Sequence, residues 1–252
     1  MKKTKSKLGP AAVVALVREL RRGSGDTRPL GVAGARELVP LLARELRVGG
    51  DELAVVENRT EGIAALVWLG APDEEALRAA SRAGIPIVAV SEEASLPYVF
   101  ASAIVHVPPG HGFPVDEIAR ALAHGLGENG TSLAARLPTL RAAVCDELIA
   151  TFSKRNAIVS AAIFVPGVDM PVLTLNQIRL VLRIALAHGE QIDAKRAVEL
   201  VGIVGAGFGF RAVARELLDF VPVAGWAVKG AIAYSGTKAI GEAAVRYFAA
   251  RS

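Results

Sequence analysis

The chain has 252 residues, of which 52% are hydrophobic and only 5% aromatic, with 25 Gly and a net charge of +4. This composition describes an ordered, unusually apolar protein with room for one large core or two small ones, and it excludes a generally disordered chain. A single cysteine, Cys145, excludes an internal disulfide and any cysteine-built zinc cluster. The basic residues are scattered rather than collected in one block, so charge alone points to neither nucleic acid nor membrane.

Residues 1–27 read as a basic tail followed by an N-terminal helix, in which PAAVVALV runs straight into Arg18, Glu19, Arg21 and Arg22. A signal peptide needs a longer apolar core and a small-residue cleavage site, so the expectation is a cytoplasmic protein. Residues 28–129 alternate β-rich and helical runs. RPLGVAG leads into ARELVPLLAREL; LAVV and AALVWL are two further strands, the latter followed by DEEALRAASRAG. IPIVAV is a fourth strand, SLPYVFAS a short helix, AIVHV a fifth strand and PVDEIARALAHGL a closing helix with Asp116 and Glu117 in its first turn. Near-continuous apolar strands separated by helices predict a small, parallel, doubly wound sheet covered on both faces.

In such sheets ligands bind at the carboxyl ends of the strands. The loop after the first strand offers Gly31, Gly34 and Arg36, but it lacks the longer glycine-rich turn and the Lys-Ser/Thr pair with which a P-loop holds phosphate and magnesium. Backbone N–H groups from Val32 to Arg36, with Arg36 as the cation, remain an alternative cradle for a nucleotide or small anion. Asp73 and Ser91 read as helix N-caps. His106 and His111 have no acidic or cysteine neighbour in ligand spacing and read as loop residues.

From residue 130 to 252 the pattern is helical throughout. TSLAARLPTLRAAVCDELIATFSKRNAIVSAAIF is one long periodic run, with Thr131 or Ser132 as its cap and Pro138 able to bend it. FVPGVDMPVLTL reads as a connection into LNQIRLVLRIALAHG, which ends at Gly189. Neither Ala157–Leu175 nor Val221–Ala233 is a clean spanning segment. The run VGIVGAGFGFRAVARE invites a dinucleotide reading, yet Phe210 stands where a third glycine is needed and no acidic strand end follows. Taken as helix, Gly202, Gly205, Gly207 and Gly209 form a close-packing notch or a glycine-made bend. The fold class expected is therefore α/β plus all-α, a doubly wound parallel sheet followed by a glycine-rich helical bundle.

The layout of IPIVAV and AIVHVPPGHGFPVDEIARALAHGL resembles the later half of an Era-like GTPase domain without its base-recognition residues. The run from about Leu140 to Phe248 resembles the YcjF-like family of uncharacterised helical domains, which often follow Era-type GTPase domains in bacterial proteins. The residues carrying this resemblance are Pro166 and Asp169 in FVPGVDMP, Gln177, Gly189, the glycine series with Arg211, and VPVAG ending at Gly225. It implies a glycine-rich, apolar bundle with no transferable catalytic residues and a tendency toward membranes. Arg211, Arg215, Lys229 and Lys238, placed through the apolar region, argue here against full spanning. The expected function is a non-enzymatic interaction or regulatory protein with a nucleotide-free pseudo-GTPase-like domain, no cofactor, no metal and no nucleic-acid partner. Its expected partners are a protein or a second copy, with peripheral contact at the inner membrane face as a separable expectation.

Overall fold

The computed structural model describes residues 15–20, 25–107, 110–162, 170–193, 197 and 226–251. The chain divides into two compact units, Ser24–Glu147 and a second made of Met1–Gly23 with Leu148–Ser252.

The first unit is an all-parallel sheet of β1 (Leu30–Gly34), β2 (Val55–Glu57), β3 (Ala65–Leu69), β4 (Ile87–Ser91) and β5 (Ile104–His106), in the order β2-β1-β3-β4-β5. This is a doubly wound order whose topological switch lies between β1 and β3. Register pairs Gly31 with Leu66 and Ala33 with Trp68, and Leu66 in turn with Ile87. Alternation along each strand therefore sends these residues to one face, where they form a core with Ile63, Ile85 and, from α3 (Glu74–Arg82), Leu77 and Ala80. Leu30, Val32, Val67 and Val88 point to the other face. Helices α2 (Val39–Leu46) and α4 (Val115–Leu126) bury Leu42 and Leu46, and Ile118 and Leu122, against the strands. The connection from β2 to β3 contains no helix. Residues 58–64 cross directly over β1, and Gly31 is required there because a Cβ would sit 2.6 Å from the Arg59 carbonyl oxygen and 2.6 Å from Ile63 Cδ1.

The α/β unit continues through α5 (Gly130–Arg136) into the first turns of α6 (Pro138–Ala162). The Asp51 amide donates to the Arg136 carbonyl at 2.8 Å, and the Thr139 hydroxyl to the Leu46 carbonyl at 2.8 Å. Leu137 is extended because the residue before a proline avoids the helical region, so the single run predicted here is two helices. The predicted cap is also corrected: α5 begins at Gly130 after Asn129, and the Thr131 hydroxyl instead donates to the Glu128 carbonyl. Asp73 does cap α3, accepting from the amides of Glu75 and Ala76.

The second unit contains α1 (15–20), α6 from Leu148 onward, α7 (Met170–Ala187) and α8 (Trp226–Ala249). α7 already includes Met170 to Thr174, residues that the sequence reading assigns to a connection. Small residues set the approach of α8. A Cβ added to Gly241 would lie 2.5 Å from Ile149 Cγ1, and one on Gly230 would lie 3.3 Å from the Ala157 carbonyl oxygen. Between these contacts runs a buried polar layer. Asn156 Nδ2 donates to Thr237 Oγ1 at 2.9 Å, and Asn176 Nδ2 to Asn156 Oδ1 at 2.8 Å. Gln177 Nε2 donates to Thr237 Oγ1 at 3.3 Å, and the Thr237 hydroxyl donates to the Ala233 carbonyl at 2.8 Å. α1 buries Leu16, Val17 and Leu20, while Glu19 holds Arg179 of α7 at 2.9 Å.

Candidate functional site

The carboxyl edge of the sheet is the candidate site, since the loops there converge on the switch between β1 and β3. In this protein main-chain contacts join β1 and β3 right up to that switch. Gly34 adopts φ +114, and a Cβ on it would be 2.2 Å from the Leu69 carbonyl oxygen. The next amide, Ala35, donates to the same oxygen at 2.9 Å, so β1 and β3 remain joined one residue past the end of β1. The loop after β3 lies against this junction: a Cβ on Gly70 would be 3.5 Å from Ala35 Cβ, and Trp68 Nε1 donates to the Ala71 carbonyl at 2.9 Å.

Each glycine of the alternative anion cradle thus has a packing role. Gly31 lies inside β1 beneath the β2–β3 connection, and Gly34 faces Leu69; only Arg36 of the three is exposed at the edge. The surrounding charge is acidic. The stretches 35–38, 58–64, 70–75, 92–95 and 107–117 carry Arg36 and Arg59 against Glu37, Glu61, Asp73, Glu74, Glu75, Glu92, Glu93, Asp116 and Glu117. A phosphate approaching this edge would meet carboxylates, whose field repels anions and attracts cations.

The connection from β4 to β5 departs from the sequence reading. SLPYVFAS does not form the predicted helix; Leu96 precedes a proline, Tyr98 sits at φ +63, and a single 3-10 turn spans Ala101–Ala103. Leu96 is buried and Val99 packs on the core, which pins the loop and leaves Tyr98 43% and Phe100 83% exposed. Arg78 braces Tyr98, with Nε donating to the phenol oxygen at 2.8 Å and the guanidinium 5.4 Å from the ring centroid, while also holding Glu74 at 2.7 Å. Ser91 does not cap a helix; its Oγ accepts the Glu93 amide in a turn. Pro97 between acidic and aromatic neighbours was the sequence signal for an exposed loop.

His106 ends β5 and is exposed, as is His111. Among the described residues no group of three His, Cys, Asp or Glu is arranged to hold a metal ion. Of the residues singled out in the helical half, Gln177 joins the polar layer. Pro166, Asp169, Gly202, Gly205, Gly207, Gly209, Arg211 and Gly225 lie outside the described residues. Within α8 the described glycine contacts to neighbouring helices are made by Gly230 and Gly241, eleven residues or about three turns apart and hence on one face.

No family model, curated protein or solved structure matches this chain. Charge, apparently scattered along the sequence, divides sharply by unit. Ser24–Glu147 holds 17 Asp and Glu against 10 Arg and no Lys, a net −7; the rest holds 19 Lys and Arg against 8 acidic residues, a net +11. Among the described residues no helix is long and apolar enough to cross a membrane.

Proposed function

We propose that this protein is a non-enzymatic interaction or regulatory protein, in which the α/β unit is a recognition surface and the helical unit contacts a protein partner and the inner membrane face. The observation that carries the first part is the carboxyl edge, where main-chain packing joins β1 to β3 and the acidic residues of the loops outnumber Arg36 and Arg59. A nucleotide needs free backbone donors and positive charge at that place. The contact with the membrane is supported by the net +11 of the helical unit and by Ile158, Val172 and Val228, which are 69%, 44% and 44% exposed.

Thermal denaturation of the full chain with GTP, ATP and NAD tests the reading: no saturable shift is expected with any of them, and one such shift overturns it. The membrane part is separable. Co-flotation with anionic vesicles is expected, and recovery of all the protein in the soluble fraction after gentle, detergent-free lysis counts against it.

A further inference from the structure

The β4–β5 connection leaves two aromatic side chains exposed. Phe100 is 83% exposed and Tyr98 43%, although Leu96 and Val99 on either side are anchored in the core. Arg78 braces the Tyr98 ring through its hydrogen bond and cation–π contact. Exposed Glu92 and Glu93 begin the same connection, and Glu74 reaches it through Arg78. Exposed aromatic side chains in a loop that also carries exposed carboxylates suit a protein contact in which rings supply buried area and carboxylates select a basic partner. The same chain supplies the complementary charge, because the helical unit carries +11 against the −7 of the α/β unit.

We infer that the Tyr98–Phe100 surface, with Glu92 and Glu93, is a self-association site that docks the basic helical unit of a second copy of this chain. The inference deepens the interaction reading proposed above and rests on it. The contact is heterologous, one surface on another, so copies add head to tail unless the rotation closes a ring. Its affinity depends on ionic strength, since exposed charges are screened over about 8 Å in physiological salt.

Sedimentation velocity of the full chain over a concentration series, at low and at high salt, tests it. The expected result is concentration-dependent association that weakens as salt rises. Phe100→Ser and Glu92→Lys are each expected to weaken it by about tenfold or more, equivalent to roughly 1.4 kcal/mol. Both positions are exposed, so unchanged circular dichroism and melting temperature verify the fold of the variants. Glu52→Lys makes the same charge change at an exposed position before β2 and is expected to leave association nearly unaltered. A monomer at every concentration overturns the inference and assigns the surface to a foreign partner. Association that ignores Phe100→Ser, or responds equally to Glu52→Lys and Glu92→Lys, also overturns it. These outcomes leave the proposed function standing, just as a nucleotide-induced thermal shift would sink that function and leave self-association intact.

Discussion

Gly34 illustrates how one residue can be read two ways. Placed after a β-rich run, it has the sequence position of a phosphate-loop glycine; in the structure its φ of +114 and the Leu69 carbonyl exclude a side chain. Gly34→Ala is expected to cost several kcal/mol, roughly 3 or more, because both backbone strain and a strand displacement are imposed. Gly112→Ala, at a site with nothing within 4 Å and no positive φ, is expected to be neutral or slightly stabilising. Urea denaturation of both variants checks the contrast. Cys145 is a second residue whose chemistry is set by packing. Burial, with a smaller contribution from neighbouring Asp146, pushes its thiol from the ordinary 9.0 up to about 12. The neutral thiol therefore contributes stability that is complete below pH 9 and declines as pH rises from there toward 12. Denaturation at about pH 10.5 is expected to show wild type losing up to about 2 kcal/mol more than Cys145→Ala does between pH 8 and that pH. In native protein at neutral pH the thiol is expected to resist aromatic disulfide reagents until denaturant is added.

At the scale of elements, the helical unit depends on a polar layer that spans three helices. Removing the Asn156 side chain leaves the Asn176 amide without its acceptor in an apolar interior and takes one of two donors from Thr237 Oγ1, which keeps Gln177 and its own bond to the Ala233 carbonyl. Asn156→Ala is expected to destabilise the protein by about 2–4 kcal/mol, read by thermal or urea melting. If the variant melts within about 0.5 kcal/mol of wild type, the layer is not a structural element. Most strands and helices were legible because their hydrophobic periods are strong: IPIVAV and AALVWL became buried β4 and β3, and Asp73 capped α3 as its position suggested. The failures were local and involved proline. Pro97 helped prevent the expected helix and Pro138 split one; each acts on its neighbour's backbone, which periodicity does not record. The carboxyl edge was legible as a place but not in character. Its acidity depends on which loops the strand order gathers together, and the exposed Phe100 depends on Leu96 and Val99 being the residues that turn inward.

For the whole molecule, the notable fact is that α1 belongs with helices encoded far downstream. Glu19 and Arg179 are 160 residues apart in sequence, yet their side chains meet at 2.9 Å. Leu20, 4% exposed, is expected to stabilise the helical unit despite lying before the α/β unit; Leu20→Ala is expected to cost about 2–4 kcal/mol. Hydrogen exchange in that variant is expected to rise in α7 and α8 before it rises in the sheet, and equal loosening of both units would contradict the assignment of α1. The same arrangement dictates an order of events on the ribosome. Leu16, Val17 and Leu20 emerge before the α/β unit, but the helix that pairs Glu19 is completed only after the whole of that unit has been synthesised. At ~5–20 residues per second that interval is roughly 8 to 30 s, during which an apolar N-terminal segment waits unburied beside a sheet already able to fold. A nascent chain from which the α/β unit has emerged but α7 has not thus carries an unshielded α1, the species on which chaperones would act.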